Sequence, residues 1–428
     1  MIEFYLDTKS GVAPYLQLVQ QVRRALKLGL IGEGDRLPTI KEVVGTVAIN
    51  PNTVAKAYRE LEHEGLVAAR TGVGTFVVKS LSDPSLAEHG RLRVGLESWL
   101  AEARAAGLDE ESIEALFRER FRASSPISFM STAVEACGLG KRYRQRWALS
   151  DCSLTVPTGH VIGLVGPNGA GKTTLLQLAV GLLAPSSGTI QVFGRPPATD
   201  AETLGRVGFV AQDTPNYSSL SVADHLRLGA RLNPRWDGDA ARHRIERLGL
   251  DPAQHAGKLS GGQRAQLALT MALAKRPDLL ILDEPVASLD PLARREFLQV
   301  LMEDVAAHDL GVMLSSHLVA DIERVCDYLI VLVDSRVQLS GDVDELLASH
   351  HRLIGPRDPE AQPPACQEVI DASHTERQTT LIVRSDGPVL DPAWTIEPTS
   401  LEDLVLAYMA RGSRSHGSAR ASQAGAAT

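Results

Sequence analysis

The stretch VIGLVGPNGAGKTTLLQLAVGLL, Val161 to Leu183, decides how the larger part of the chain must fold. Val161 to Val165 is an apolar run bounded by turn residues, the pattern of a buried strand. Gly166 to Thr173 fits G-x-x-x-x-G-K-[ST], and the residues after it continue with helical character. Strand, glycine-rich turn and helix in that order are the context a phosphate-binding loop requires. Glycines let successive backbone N–H groups curl around phosphate oxygens, and the helix N-terminus adds partial positive charge. Gly166, Pro167, Asn168, Gly169, Ala170, Gly171, Lys172, Thr173 and Thr174 are therefore candidate nucleotide contacts. Lys172 suits the β- and γ-phosphates, and the Thr173 hydroxyl suits a Mg2+ ion.

Two further runs lie downstream. In PDLLILDEP (277–285), Leu279 to Leu282 reads as a central parallel strand, with Asp283 at its C-terminal end, the sheet edge where ligands bind. Asp283 is expected to hold Mg2+ through water, and Glu284 to polarise an attacking water. A strand ending in two solvated acids is common by itself; the phosphate cradle upstream is what lends it a catalytic meaning. In KLSGGQ (258–263), Ser260, Gly261, Gly262 and Gln263 open a helix and form a second anion-binding helix end.

Taken in this order, the three runs resemble the ABC-type ATPases across residues 134–345. The resemblance implies ATP and Mg2+ as cofactors and ATP hydrolysis as the reaction. In that family the signature helix of one subunit closes over the γ-phosphate held by its partner, so a homodimer is expected. Residue by residue, it implies Tyr143 stacking on adenine, with Trp147 as the substitute. Gln212 would join Mg2+ to the coupling surface, Asp290 would lie in the loop crossing the dimer interface, and His317 in LSSHL would contact the γ-phosphate. Lys172, Gln212, Glu284 and His317 form the expected catalytic set, and Thr173, Gln212 and Asp283 the metal set. Val286 and Ser288 depart from the Thr and Gly common in relatives. Residues 346–410 resemble the variable C-terminal extension of exporter-type ATPases.

The N-terminal region follows a different pattern. Tyr15, Leu18, Val22 and Leu26 form one helical stripe, with Gly29 suited to end it. Thr39 and Glu42 form a capping-box pair for a second helix, and Asn50 with Pro51 opens a third. On that third helix Val54, Ala57, Tyr58 and Leu61 point one way, while Asn52, Lys56 and Arg59 point the other. Amide and cationic donors on one face suit a helix that reads base edges and holds phosphates in a major groove. Periodicity alone also allows a small three-helix domain with a solvated polar face. The runs GDRLPT, NPNTVAKAYRELEHEGLV and GTFV resemble the winged helix-turn-helix of GntR-type regulators, of the short YtrA-like kind. That resemblance implies DNA contacts from Arg36, Thr39, Lys41, Asn52, Thr53, Lys56 and Arg59, with Arg70, Thr71 and Gly74 in the wing. Ala48 stands where relatives usually carry Gly, and Val73 where a basic residue is common, which implies differently tuned DNA contact.

A multidomain chain results: an N-terminal winged helix-turn-helix, mostly α, plus a C-terminal α/β P-loop NTPase of ABC type with a helical subdomain. Its 428 residues exceed one ordinary core. The expected bounds are 1–80 for the winged domain, 81–124 for a helical dimerisation segment and 125–133 for a linker. The ATPase would take 134–345, an accessory region 346–410, and a disordered polar tail 411–428. Net charge is −8, which excludes coating of nucleic acid by bulk charge but allows a local basic face. Cys137, Cys152, Cys326 and Cys366 form no CxxC pair, in keeping with a reducing cytosol. MIEFYLDTKS lacks the pattern of a secretion signal, and no apolar run approaches the ~20 residues that span a bilayer. A cytoplasmic ATPase docked at the inner membrane face on a separate transmembrane permease is therefore expected, with operator DNA as its other partner. The alternatives are a nucleotide-sensing regulator that never docks to a permease, and a non-transport ATPase acting on DNA ends or ribosomes.

Overall fold

In the computed structural model the described residues are 2, 4–6, 13–27, 30–70, 73–78, 132–213, 216–308, 310–357, 368–385 and 394–412. The expected dimerisation segment 81–124, the linker up to 131, Gly29, Thr71, Cys366 and the tail beyond 412 lie outside them.

The N-terminal unit comprises α1 (Pro14–Lys27), α2 (Ile40–Val47), α3 (Pro51–His63) and the hairpin β1 (Val67–Arg70) and β2 (Gly74–Val77). Helix α1 buries Leu18, Val22 and Leu26 as its stripe requires. The Thr39–Glu42 capping box opens α2, and Asn50 caps α3 with Pro51 at its first position. Side-chain acceptors thus satisfy first-turn amides that have no intrahelical partner. Val54, Ala57, Tyr58 and Leu61 of α3 are buried. Ala48 ends α2 in the left-handed region at φ 50°, a conformation glycine adopts without the Cβ clash.

The second unit starts with β3 (Thr132–Tyr143) and β4 (Arg146–Pro157), then β5 (Val161–Val165), α4 (Lys172–Ala179), β6 (Ser187–Val192), α5 (Ala201–Arg206) and β7 (Val207–Val210). Helices α6 (Val222–Leu232), α7 (Gly238–Arg247) and α8 (Gly261–Ala274) follow, packing around Val222, Ile245, Leu250, Leu259 and Leu267 as a helical subdomain. Next come β8 (Leu279–Leu282), α9 (Pro291–His308), β9 (Gly311–Ser316), α10 (Val319–Val325), β10 (Tyr328–Val333), β11 (Arg336–Asp342) and α11 (Val343–Ser349). Strand β3 begins at Thr132, ahead of the expected boundary at 134, because Thr132 and Val134 already pair with Pro157 and Val156 of β4.

A six-stranded sheet runs in the order β11-β10-β5-β9-β8-β7, parallel throughout except for the antiparallel edge strand β11. Strands β4, β3 and β6 form a separate antiparallel sheet. All residues of β5 and β8 are buried, which suits strands covered on both faces. The loops after β5, β8 and β9 therefore emerge side by side along one edge.

The C-terminal region is more ordered in pattern than its mixed sequence suggests. Strands β12 (His350–Pro356), β13 (Glu368–His374), β14 (Gln378–Arg384) and β15 (Thr395–Pro398) form an antiparallel sheet in the order β13-β14-β12-β15. A final helix, α12, spans 401–412 and buries Leu401, Leu404, Val405 and Tyr408. It passes the expected boundary at 410. Helix α11 leads directly into β12, so the expected boundary at 345 falls within a helix. Among the described residues no helix is long and apolar enough to cross a membrane.

Candidate functional site

The loop between β5 and α4 borders a cavity of about 510 Å3, lined among others by Tyr143, Trp147, Gly169, Lys172, Thr173, Gln212, Glu284 and His317. Asn168, Gly171, Thr174 and Arg146 complete its polar wall. Helix α4 has Gly171 at its N-cap and no side-chain cap, so its first amides are left for a ligand to satisfy. Gly171 sits at φ 108°, and a Cβ there would lie 2.3 Å from the Ala148 carbonyl oxygen. No other residue type fits that approach. Uncapped amides, a close glycine turn and Lys172 together fit a polyphosphate.

Lys172 is 5% exposed, and its ammonium donates to the Gly166 carbonyl at 2.7 Å. Glu284 bridges the cluster: Oε1 lies 3.6 Å from Lys172 Nζ, and Oε2 lies 3.2 Å from His317 Nδ1. The Glu284 backbone holds φ at 45°, an uncommon and costly state for a residue with a Cβ. Ser315 stabilises it there. Its hydroxyl accepts from the Glu284 amide at 2.8 Å and donates to Asp283 Oδ1 at 2.8 Å. Asp283 is 2% exposed and stands behind the cavity wall. Carboxylate, amide and hydroxyl oxygens from Asp283, Gln212 and Thr173 are the hard donors a Mg2+ ion takes, so the residues fit that ion. Ser315, in the same LSSHL run as His317, is marked by no motif, and neither is Arg146, which adds a cation to the cavity rim. On the β3–β4 hairpin both Tyr143 and Trp147 are exposed along the cavity, so the geometry offers two rings for a base to stack on.

The second anion-binding helix end lies elsewhere. Ser260, Gly261, Gly262, Gln263 and Asp290 line a separate cavity of about 410 Å3, which shares no lining residue with the first. Ser260 caps α8, and its amide donates to Gln263 Oε1 at 2.9 Å. Asp290 accepts from the Leu292 and Ala293 amides, both at 3.0 Å, and so caps α9. Within one chain, the signature helix and the lysine-bearing loop do not meet. A larger cleft, about 820 Å3, sits at the opposite end of the strands. Its Arg206 and Arg235 pair with Asp278, and its Arg276 with Asp237, which leaves it poorly suited to an anion.

The expected DNA-reading residues divide into two groups. Arg36, Lys41, Arg59 and Arg70 are exposed. Thr39 spends its hydroxyl on the capping box, Thr53 is half-buried, and Gly74 packs against the Arg36 side chain. Asn52 and Lys56 are engaged by the ATPase, which corrects the expectation of an open polar face on α3. Asn52 Nδ2 donates to Asp327 Oδ2 at 2.7 Å and to the Gly159 carbonyl at 3.0 Å. Lys56 pairs with Asp344 and lies over the Tyr15 ring. The physical reason is that the ATPase presents carboxylates and carbonyls to a helix face rich in donors.

Residues 149–287 match the family described as ABC transporter, and residues 14–77 match the bacterial regulatory proteins of the gntR family. The uncharacterised ABC transporter ATP-binding protein YxlF of Bacillus subtilis is 36% identical over 215 residues, covering 49% of this chain and 70% of that protein. The thiamine import ATP-binding protein ThiQ of Shigella flexneri is 36% identical over 213 residues, covering 47% of this chain and 91% of that protein. A solved structure described as the ATP binding subunit of an ABC transporter is 28% identical, with a TM-score of 0.47, covering 51% of this chain and 92% of that one.

Proposed function

The chain belongs to the ABC transporter ATP-binding proteins and carries a gntR-family regulatory segment ahead of its ATPase; from that premise we propose that it energises a separate export permease and also binds operator DNA. The single observation that carries the catalytic half is the meeting of Lys172, Glu284 and His317 in one cavity, with the Ser260 helix end in another. A second copy of the chain supplies the missing helix end, so hydrolysis belongs to a homodimer. In each composite site Lys172 and the amides around Gly169 to Thr174 hold the β- and γ-phosphates of ATP. Thr173, Gln212 and, through water, Asp283 would hold Mg2+, which would supply neutralisation of phosphate charge. Glu284 orients the attacking water, His317 fixes Glu284 and contacts the γ-phosphate, and Ser260 of the second copy closes the site. Tyr143 or Trp147 stacks on the adenine.

One relative bears the name of a thiamine import protein, so likeness in the ATPase is compatible with either direction of transport. The export assignment rests on the C-terminal extension at 346–410 and is tested through the partner. DNA binding rests on the gntR-family segment and on the exposed Arg36, Lys41, Arg59 and Arg70. Footprinting of the DNA upstream of the reading frame, with ATP, ADP and no nucleotide, tests the regulatory half. Protection that varies with nucleotide is the expected result, and an unprotected region in all three states refutes it. Co-purification with a multi-span permease tests the transport half. Its absence, with footprints retained, leaves a nucleotide-sensing regulator instead.

A further inference from the structure

The geometry points to an internal, acidic surrogate for DNA: the ATPase face formed by Asp327, Asp344, the middle of α9 and the end of α10 holds the reading helix α3 and keeps it from operator DNA. This inference rests on the proposal that α3 binds DNA, and it adds how that binding is restrained.

Three sets of contacts fasten the N-terminal unit. At the start of α3, Asn50 Nδ2 donates to the Val325 carbonyl at 2.9 Å, and Asn52 bonds to Asp327 and Gly159. One turn on, Lys56 pairs with Asp344. Along α2, which lies against α9, the Gly45 carbonyl accepts from Gln299 Nε2 at 2.7 Å, and the Val47 carbonyl accepts from the Arg324 guanidinium at 3.2 Å. The apolar layer is continuous across this junction: Val43, Val44 and Val47 belong to the same buried cluster as Phe297, Leu298 and Leu301. A donor-bearing helix face has therefore found carboxylates and carbonyls inside the chain, the same acceptor chemistry that phosphates and base edges present. Asn52 and Lys56 cannot serve both partners at once, so docking and groove insertion exclude one another.

Release would part Val43, Val44 and Val47 from that shared apolar layer as well as break the polar contacts, so the restraint has both components. Arg36, Arg59 and Arg70 stay exposed while α3 is docked, Arg70 over the Phe76 ring, and their positive charge can still attract a duplex. Asp327 also ties the contact to the strand that carries the phosphate loop, at the end of the sheet away from the nucleotide cavity. Its other oxygen accepts from the Val161 amide at 2.8 Å, at the start of the strand that leads into the phosphate loop. When only a fraction of molecules is undocked, the apparent DNA affinity is reduced by that fraction.

The test uses the full chain with Asp344→Lys, which repels Lys56, and separately with Gln299→Ala, which frees α2. Neither residue belongs to the nucleotide site, and ATP turnover serves as the check that each variant is folded. Hydrogen exchange is measured over residues 40–63, and fluorescence anisotropy on labelled duplexes tiling the DNA upstream of the reading frame. The expected result is faster exchange in α3 together with an operator affinity raised about tenfold in at least one variant. Faster exchange with unchanged or weaker DNA binding overturns the inference, because undocking would then be irrelevant to the groove. Unchanged exchange in both variants overturns it too, since these contacts would not be what holds the helix. If no duplex binds wild type or variants although exchange rises, DNA binding by this chain is what has failed.

Discussion

Glu284 is held by neighbours on three sides, and each limits what it can do. Lys172 and His317 flank its carboxylate, and Ser315 anchors its amide in a backbone state that few glutamates adopt. Replacing the carboxylate by an amide, as in Glu284→Gln, keeps that shape and removes a base. Turnover, measured as phosphate release, is expected to fall by about 10²–10⁴-fold, while ATP binding persists and a nucleotide-trapped dimer accumulates in gel filtration. Wild-type turnover in this variant would exclude the assigned role. Ser315→Ala acts differently. It leaves the buried Asp283 and the Glu284 amide each without a partner, which costs about 1–3 kcal/mol in thermal stability. Because Glu284 then loses its anchor, turnover should fall as well. A stability loss with full turnover would mean that the strained backbone holds itself.

At the scale of elements, capping and burial account for most of what is seen. Thr39 with Glu42, Ser221 with Asp224 and Ser260 with Gln263 each open a helix by the same reciprocal pattern. The C-terminal sheet depends on a titratable contact instead. His350 is 1% exposed, lies 2.7 Å from the Leu346 carbonyl through Nδ1, and 3.0 Å from the Tyr408 hydroxyl through Nε2. Burial holds its pKa below the ordinary 6.5, and the carbonyl contact only partly opposes this. The unfolded chain thus binds a proton that the folded chain refuses. Stability from this group is present above pH 6.5 and is lost as the pH falls below it. Melting curves between pH 7.5 and 5.5 (buffers spanning about one unit either side of the ordinary value) should show wild type losing more stability than His350→Gln. Parallel pH dependence in the two proteins would remove His350 from the account.

For the whole molecule, the separation of the lysine-bearing cavity from the signature cavity is the governing fact. If a working site needs one of each from different copies, two inactive variants should rescue one another. Lys172→Ala lacks a working loop, and Ser260→Arg lacks a working helix end. In an equal mixture, random pairing makes about half the dimers mixed, each with one intact site of two, so about a quarter of wild-type phosphate release should return. No recovery on mixing would show that each chain completes its own site. The docked winged unit adds a second whole-molecule constraint, since its release must accompany any groove binding.

The chemistry of the phosphate loop, the acidic strand end and the signature helix end could be read from the chain alone. Each is a short run in which spacing along the backbone already places the amides and side chains that act together. The helix caps of the N-terminal unit were legible for the same reason. Other features depend on elements far apart in sequence that pack side by side. Ser315 reaches Asp283, 32 positions away in sequence, only because β9 lies next to β8. In the four-stranded sheet at 350–398, β13 and β14 form a local hairpin, but β12 pairs with β14 and β15 across intervening strands, which mixed local patterning does not encode. Most of all, the fate of α3 is tertiary. Its donor face is local and plain, but whether it meets solvent, DNA or Asp327, 275 positions away, is decided by which acceptor surface the folded chain brings against it.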